Sequence, residues 1–295
     1  MKIDAHQPIG VFDSGVGGLT VLKHLVQAMP DEQFIYLGDT ARVPYGNKSK
    51  QTIEHYTIQC IDFLLGFNVK AIVIACNTAS AIALDIAQKH SPIPIIGMIE
   101  PAAHYAIESS LNGNIGIIGT RATIHSQAYE KAISTYAETL HKNTHITSIA
   151  CPLFVPLVEE DWVNHPAATL IAKEYLSPLL SKNIDTLVLG CTHYPLLKDL
   201  ITGILPNITL IDCGYTASKL ITKMLGIHSH QVSSSMPKRI HLFTTDIVHS
   251  FSVIAERCLG FALQDPINIT TEVLEHHPWE YAKHIAFFDN ENIRQ

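Results

Sequence analysis

Two cysteines carry the strongest chemical signal in this sequence. Cys76 follows the apolar run Ile72-Val73-Ile74-Ala75 and precedes Asn77-Thr78; Cys191 follows Leu187-Val188-Leu189-Gly190 and precedes Thr192-His193. Each strand-like run delivers a thiol to a turn that opens a helix-like stretch, where backbone N–H groups favour the thiolate. One cysteine in such a place is as readily a buried structural residue, because free Cys is among the most buried residue types. A matched pair points further. Removing a proton from one face of a carbon and returning one to the other face needs two weak acids. A thiol, with a reference pKa of about 8.5, can act as either acid or base near neutrality once tuned.

One thiol must start deprotonated and the other protonated, so each needs neighbours that set the difference, and a bell-shaped pH profile is expected. Asp13 is the candidate on the first side, and Glu159, Glu160 and His193 on the second. Glu159-Glu160-Asp161 also reads as a solvated acidic helix start, and His193 as a carboxylate ligand or a helix cap. Asp13-Ser14-Gly15-Val16-Gly17-Gly18-Leu19 is a glycine-rich strand-to-helix turn whose N–H groups suit a carboxylate or phosphate. Asp13 or Ser14 could equally be a plain N-cap. Thr20 stands where a dinucleotide fingerprint needs its third Gly, and no Walker A Lys-Ser/Thr follows. The loop Thr40–Asn47 offers Tyr45 and the Gly46 backbone as substrate contacts, or is a structural turn. Asn77, Thr78 and Thr192 are small polar groups suited to an ammonium or a carboxylate. With no nucleotide motif and no clear cofactor-lysine context, proton chemistry falls to side chains, although a lysine Schiff base stays open.

Short β-branched and apolar runs alternate along the chain with longer amphipathic stretches, the pattern of an α/β protein with mainly parallel sheets. Strands are expected at 8–12, 34–37, 71–75, 93–98, 115–118, 145–150, 186–189 and 209–211. In such folds ligands sit beyond the carboxyl ends of the strands. The pattern also repeats: Ile9-Gly10-Val11-Phe12 resembles Ile115-Gly116-Ile117-Ile118, and the Cys76 segment resembles the Cys191 segment. The offset from Gly10 to Gly116 is 106 residues and that from Cys76 to Cys191 is 115. Two related halves facing each other would set one thiol on each wall of a cleft.

The length of 295 residues fits two domains, and 47% hydrophobic with 16% charged residues describes a folded globular chain. A net charge of -7 without a basic cluster makes nucleic acid a poor candidate ligand. There is no signal-peptide pattern and no apolar run long enough to span a membrane, so a cytoplasmic protein is expected. Its six cysteines, with no Cys-x-x-Cys pair, should stay reduced. Its 17 histidines, even His276-His277, lack ligand spacing, so no metal is expected.

Five ordered segments resemble one family: 13–19 (Asp-Ser-Gly-Val-Gly-Gly-Leu), 38–46 (Gly-Asp-Thr-Ala-Arg-Val-Pro-Tyr-Gly), 75–80 (Ala-Cys-Asn-Thr-Ala-Ser), 152–160 (Pro-Leu-Phe-Val-Pro-Leu-Val-Glu-Glu) and 189–196 (Leu-Gly-Cys-Thr-His-Tyr-Pro-Leu). Together they look like the bacterial glutamate racemases of the aspartate/glutamate racemase superfamily, over residues 8 to about 262. The resemblance implies cofactor-independent interconversion of L- and D-glutamate, supplying D-glutamate for peptidoglycan. It implies that Cys76 works the α-proton of D-glutamate with help from Asp13, and Cys191 that of L-glutamate with Glu159 and His193. Substrate contacts carry over to Asp13, Ser14, Tyr45, Gly46, Asn77, Thr78, Thr192 and His193. Two pseudosymmetric α/β domains are implied, residues 1–101 with 212–265 and residues 102–211, enclosing the substrate in a homodimeric protein. Residues 266–295 form an extension without an assigned role. The sequence departs from the family pattern at Asp161, where Gly is commoner, and at Cys213, where Ser is commoner. Three alternatives remain: a racemase for another acidic amino acid such as aspartate, a cysteine hydrolase using Cys191 and His193, and a non-catalytic binder of an acidic ligand.

Overall fold

A computed structural model describes residues 6–227, 240–246, 251–260, 266–276 and 278. Its strands are β1 (Ile9–Asp13), β2 (Phe34–Gly38), β3 (Ala71–Ile74), β4 (Ile95–Ile96), β5 (Asn114–Gly119), β6 (His145–Ala150), β7 (Thr186–Gly190), β8 (Thr209–Asp212), β9 (Ile240–Thr244) and β10 (Ile267–Asn268). β1, β2, β3 and β7 are buried along their whole length, which is why they read as unbroken apolar runs rather than alternating ones.

Among the described residues the strands form two sheets, ordered β10-β9-β2-β1-β3-β4 and β6-β5-β7-β8, and every pairing is parallel. The run β2-β1-β3-β4 in the first sheet matches β6-β5-β7-β8 in the second. Register matches too: Gly10 lies opposite Ile72, and Gly116 opposite Leu187. The protein is thus α/β, with two pseudosymmetric halves. The strands at 240–244 and 267–268 add to the first sheet beyond what the sequence pattern indicated. From Gln264 onward, the described residues supply β10 and a helix at Thr271–His276 that packs on the helix Lys50–Leu65. His277 and Trp279 lie outside the described residues.

The halves share one buried cluster, which joins Ile9 and Val11 of β1 to Ile115 and Ile117 of β5 and to Val188 of β7. Four helices tie them: Ile99–Ser109 packs on both Ala128–Thr139 and Cys213–Met224, and Cys213–Met224 packs on Leu19–Ala28. Asp212 caps the last connection, its Oδ1 accepting from the N–H groups of Gly214 (2.8 Å) and Tyr215 (3.2 Å). Among the described residues, no helix is long and apolar enough to cross a membrane.

Candidate active site

Each sheet ends a matching pair of adjacent strands, β1 and β3 in the first and β5 and β7 in the second, at the same place. Asp13 closes β1 and Cys76 follows β3 by two residues; Thr120 follows β5 and Cys191 follows β7. A cavity of about 30 Å³ lies between these ends. Ser14, Tyr45, Gly46, Asn77, Thr78, Thr192, His193 and both cysteines line it, together with Val43, Pro44, Thr120 and Val155. That volume holds little more than a water molecule, so the cleft is narrow.

Cys76 is the N-cap of the helix Asn77–His90, and its sulfur accepts from Ala79 N–H at 3.5 Å. It donates to Ser14 Oγ at 3.3 Å. Burial, and then the negative charge of Asp13, push the thiol up to about 12. Asp13 is fully buried; its Oδ2 accepts from Gly15 N–H at 2.9 Å, while Oδ1 has no hydrogen-bond partner among the described residues. Burial raises its carboxyl above the usual range, against the opposing pull of His193 and the N–H groups of Gly15 and Gly18. Its influence on Cys76 is therefore through space, and the direct bond belongs to Ser14.

Cys191 differs from the sequence expectation of a helix N-terminus. It opens a turn followed by a short 3-10 segment, Tyr194–Leu197. The compensating group is His193, whose Nδ1 lies 3.8 Å from Cys191 Sγ and whose Nε2 lies 3.0 Å from Glu159 Oε1. Its side chain caps nothing. Burial works to lower the imidazole's pKa, but its bonds to Cys191 and Glu159 prevail and raise it to about 10. A positive charge thus sits beside the Cys191 sulfur. Glu159 reaches His193 from outside the cleft lining, and Glu160 is exposed.

The remaining candidates fall into two hydroxyl clusters and a loop. Thr78 Oγ1 is 2.9 Å from Thr120 Oγ1 and 3.2 Å from Thr123 Oγ1, joining the two halves. Thr20 Oγ1 lies 2.9 Å from both Gly17 O and Thr192 O, a second link across the cleft. Tyr45 lines the cavity, but its hydroxyl donates to Asp39 Oδ2 at 2.5 Å. Asp39 also accepts from Arg42 Nε (2.7 Å) and Thr245 Oγ1 (3.0 Å), which fixes the loop. Gly46 must be glycine because a Cβ there would meet Thr120 Cβ at 2.7 Å.

Thr120 was legible in principle: the 106-residue offset that carries Gly10 to Gly116 carries Ser14 to Thr120. Asp161 has a φ of 60°, the left-handed region that favours glycine. It also reaches across to the first sheet's half, its Oδ1 lying 2.6 Å from Arg257 Nη2. All six cysteines are free and buried. Among the described residues no three His, Cys, Asp or Glu side chains are grouped to hold a metal ion.

Residues 9–220 match the family described as Asp/Glu/Hydantoin racemase. Glutamate racemase from Sulfurihydrogenibium sp. is 46% identical over 269 residues, covering 91% of this chain and 97% of the relative. That of Syntrophus aciditrophicus is 45% identical over 257 residues, covering 87% and 94%. The crystal structure of Francisella tularensis glutamate racemase in complex with D-glutamate superposes with a TM-score of 0.81 at 40% identity, covering 90% of this chain and 98% of that one. With its family match, its relatives and its paired-sheet fold in agreement, this chain belongs to the Asp/Glu/Hydantoin racemase family.

Proposed function

We propose that the chain interconverts L- and D-glutamate with two cysteine bases and no cofactor, and that this supplies D-glutamate for peptidoglycan. The observation that carries the reading is that two thiols from equivalent strand ends of a duplicated fold line one narrow cleft. In the L-to-D direction, Cys191 as thiolate takes the α-proton and Cys76 as thiol delivers its own proton to the opposite face. The reverse direction begins with the roles exchanged. One L-to-D turnover leaves a proton on Cys191 and none on Cys76, so the pair is reset by exchange with solvent or by a reverse turnover.

The surroundings suit this division. The raised pKa of Cys76 makes it the resting acid. The protonated His193, held by Glu159, offsets the negative charge of the Cys191 thiolate and the charge that builds on the substrate as its α-proton leaves. Asn77, Thr78, Thr192 and Ser14 supply polar contacts for the substrate's charged groups. The cleft is too narrow as it stands for an amino acid, so in this scheme the halves move apart to admit one, and their closure then excludes water from the proton transfers. The two moving bodies are taken as residues 1–101 with 212–265 and residues 102–211; the chain crosses between them within the helix Ile99–Ser109 and at the end of β8. A homodimer acting in the cytoplasm follows from the family resemblance.

A second reading draws on the Cys191–His193–Glu159 relay, which has the form of a hydrolase nucleophile, base and orienting acid. Such an enzyme has no use for Cys76. The test is incubation with L-glutamate, D-glutamate and each aspartate enantiomer in deuterated water without cofactor, following optical rotation and α-deuterium. Loss of chirality from both glutamate enantiomers, with deuterium at the α-carbon, is the expected result. No exchange with either, in folded and reduced protein, refutes the proposal.

A further inference from the structure

Tyr129 lies on the helix Ala128–Thr139 of the second half and is 1% exposed, yet its hydroxyl crosses to the first half and donates to Asn77 Oδ1 at 2.5 Å. The other end of that carboxamide, Asn77 Nδ2, is buried without a hydrogen-bond partner among the described residues, on a side chain that lines the cleft. Behind the phenol stands Cys213, its sulfur 3.0 Å from Tyr129 Oη and 3.2 Å from Leu189 O. We propose that Tyr129 is a positioning residue: it holds the Asn77 carboxamide with its N–H donors toward the cleft, where they receive a substrate carboxylate, and Cys213 sets the phenol to do so.

A count of protons supports this orientation. The phenol and the thiol each have one. When the phenol donates to Asn77 Oδ1, the thiol proton is free for Leu189 O or for the phenol oxygen. Turning the amide over would make Nδ2 the donor to the phenol and send the phenol proton to sulfur, a weak acceptor. It would also turn a carbonyl toward two thiols and an incoming carboxylate. Burial first, then the neighbouring Cys213, keep the phenol's pKa well above its usual value, so it stays a donor. An unpaired buried N–H pair costs free energy that a carboxylate would recover, and such groups in native structures call for a functional explanation. Because the bond joins opposite halves, the donor is aimed only when the cleft closes.

This inference rests on the proposed racemisation, so the full-length wild-type chain is assayed first, with L- and D-glutamate. Tyr129→Phe keeps the ring and removes the hydroxyl. Its KM should rise about tenfold in both directions, the worth of a hydrogen bond to a charged group, with a smaller fall in kcat. In a cycle with Asn77→Ala, the double variant should be no worse than Asn77→Ala alone, since Tyr129 acts through Asn77. Cys213→Ser should lose less than Cys213→Ala. If Tyr129→Phe does not fold, Cys213→Ala carries the test: raised KM supports the inference and unchanged KM overturns it. An active wild type whose Tyr129→Phe variant keeps its KM, or whose double variant shows multiplied losses, also overturns it. A wild type that racemises neither enantiomer overturns the functional reading itself, and this inference with it.

Discussion

Adding one methyl group at Gly17 should force the two halves apart. A Cβ there would overlap Thr192 Oγ1 and the Cε1–Nδ1 edge of His193. Neither can swing away: Thr192 and His193 are 6% and 5% exposed, and the imidazole is tied to Glu159 at 3.0 Å. Restoring ordinary contact of about 3.5 Å requires one wall to retreat by roughly 1 Å. Overpacking of that kind costs about 1–3 kcal/mol. The retreat also breaks the contact of Thr20 Oγ1 with Thr192 O, worth about 1 kcal/mol. The closed form of Gly17→Ala should therefore be about 2–4 kcal/mol less favourable. Because the displaced group is the one beside Cys191, kcat should fall by about 10²-fold, the cost of a misplacement of about 1 Å. The assay is steady-state racemisation in both directions, with thermal melts run in parallel. Gly203→Ala is the control, since a Cβ there meets nothing within 4 Å. If Gly17→Ala keeps kcat within about threefold of the wild type, the narrow cleft is not the working geometry and the reasoning fails.

Four further outcomes are expected. Cys76→Ser and Cys191→Ser should each lower racemisation by about 10²–10⁴-fold, measured by circular dichroism, and full turnover by either would exclude the two-base scheme. Tyr45→Phe removes a donor from buried Asp39 and should cost about 1.5–3 kcal/mol in denaturant titration; a change below about 0.5 would mean that Arg42 and Thr245 suffice. The pKa of His193 is raised from 6.5 to about 10 in the folded chain, so its stabilising contribution is complete below 6.5 and is lost as pH rises toward 10. Thermal stability should decline over that window, and less steeply in His193→Asn; equal slopes would contradict the assignment. Asp161→Gly relieves a left-handed aspartate, worth about 1–2 kcal/mol, but loses an exposed ion pair of about 0–1 and adds unfolded-state freedom of about 0.4–1. Its stability should stay within about 1 kcal/mol of the wild type, whereas a loss above about 2 would make the Arg257 pair a principal tie.

What could be read from the sequence was what the chain writes locally. Parallel strands buried on both faces are continuous apolar runs, which made β1, β2, β3 and β7 legible in sequence, and the residue just past β7 and two past β3 pointed to Cys191 and Cys76. The strand at 267–268 is too short to carry a pattern; β9 gains its place by pairing with β2, far away in the chain, and β10 by pairing with β9. The interdomain contacts were hidden for the same reason. Tyr129 meets Asn77 across 52 residues and Cys213 across 84, distances at which spacing conveys nothing. Asp161 was visible as an unusual residue, but its left-handed backbone and its arginine partner appear only in three dimensions.

The two thiols sit at equivalent strand ends but have unlike company, a buried carboxylate beneath one and an imidazolium–carboxylate relay beside the other. For mirror-image substrates the equilibrium constant is one, whatever the protein does. The Haldane relation then requires kcat/KM to be equal in the two directions. The unlike surroundings can therefore favour neither enantiomer at equilibrium. Any advantage they give to turnover from one side must be matched by the same factor in KM on that side, so the two halves differ in how tightly and how fast they work but never in their quotient.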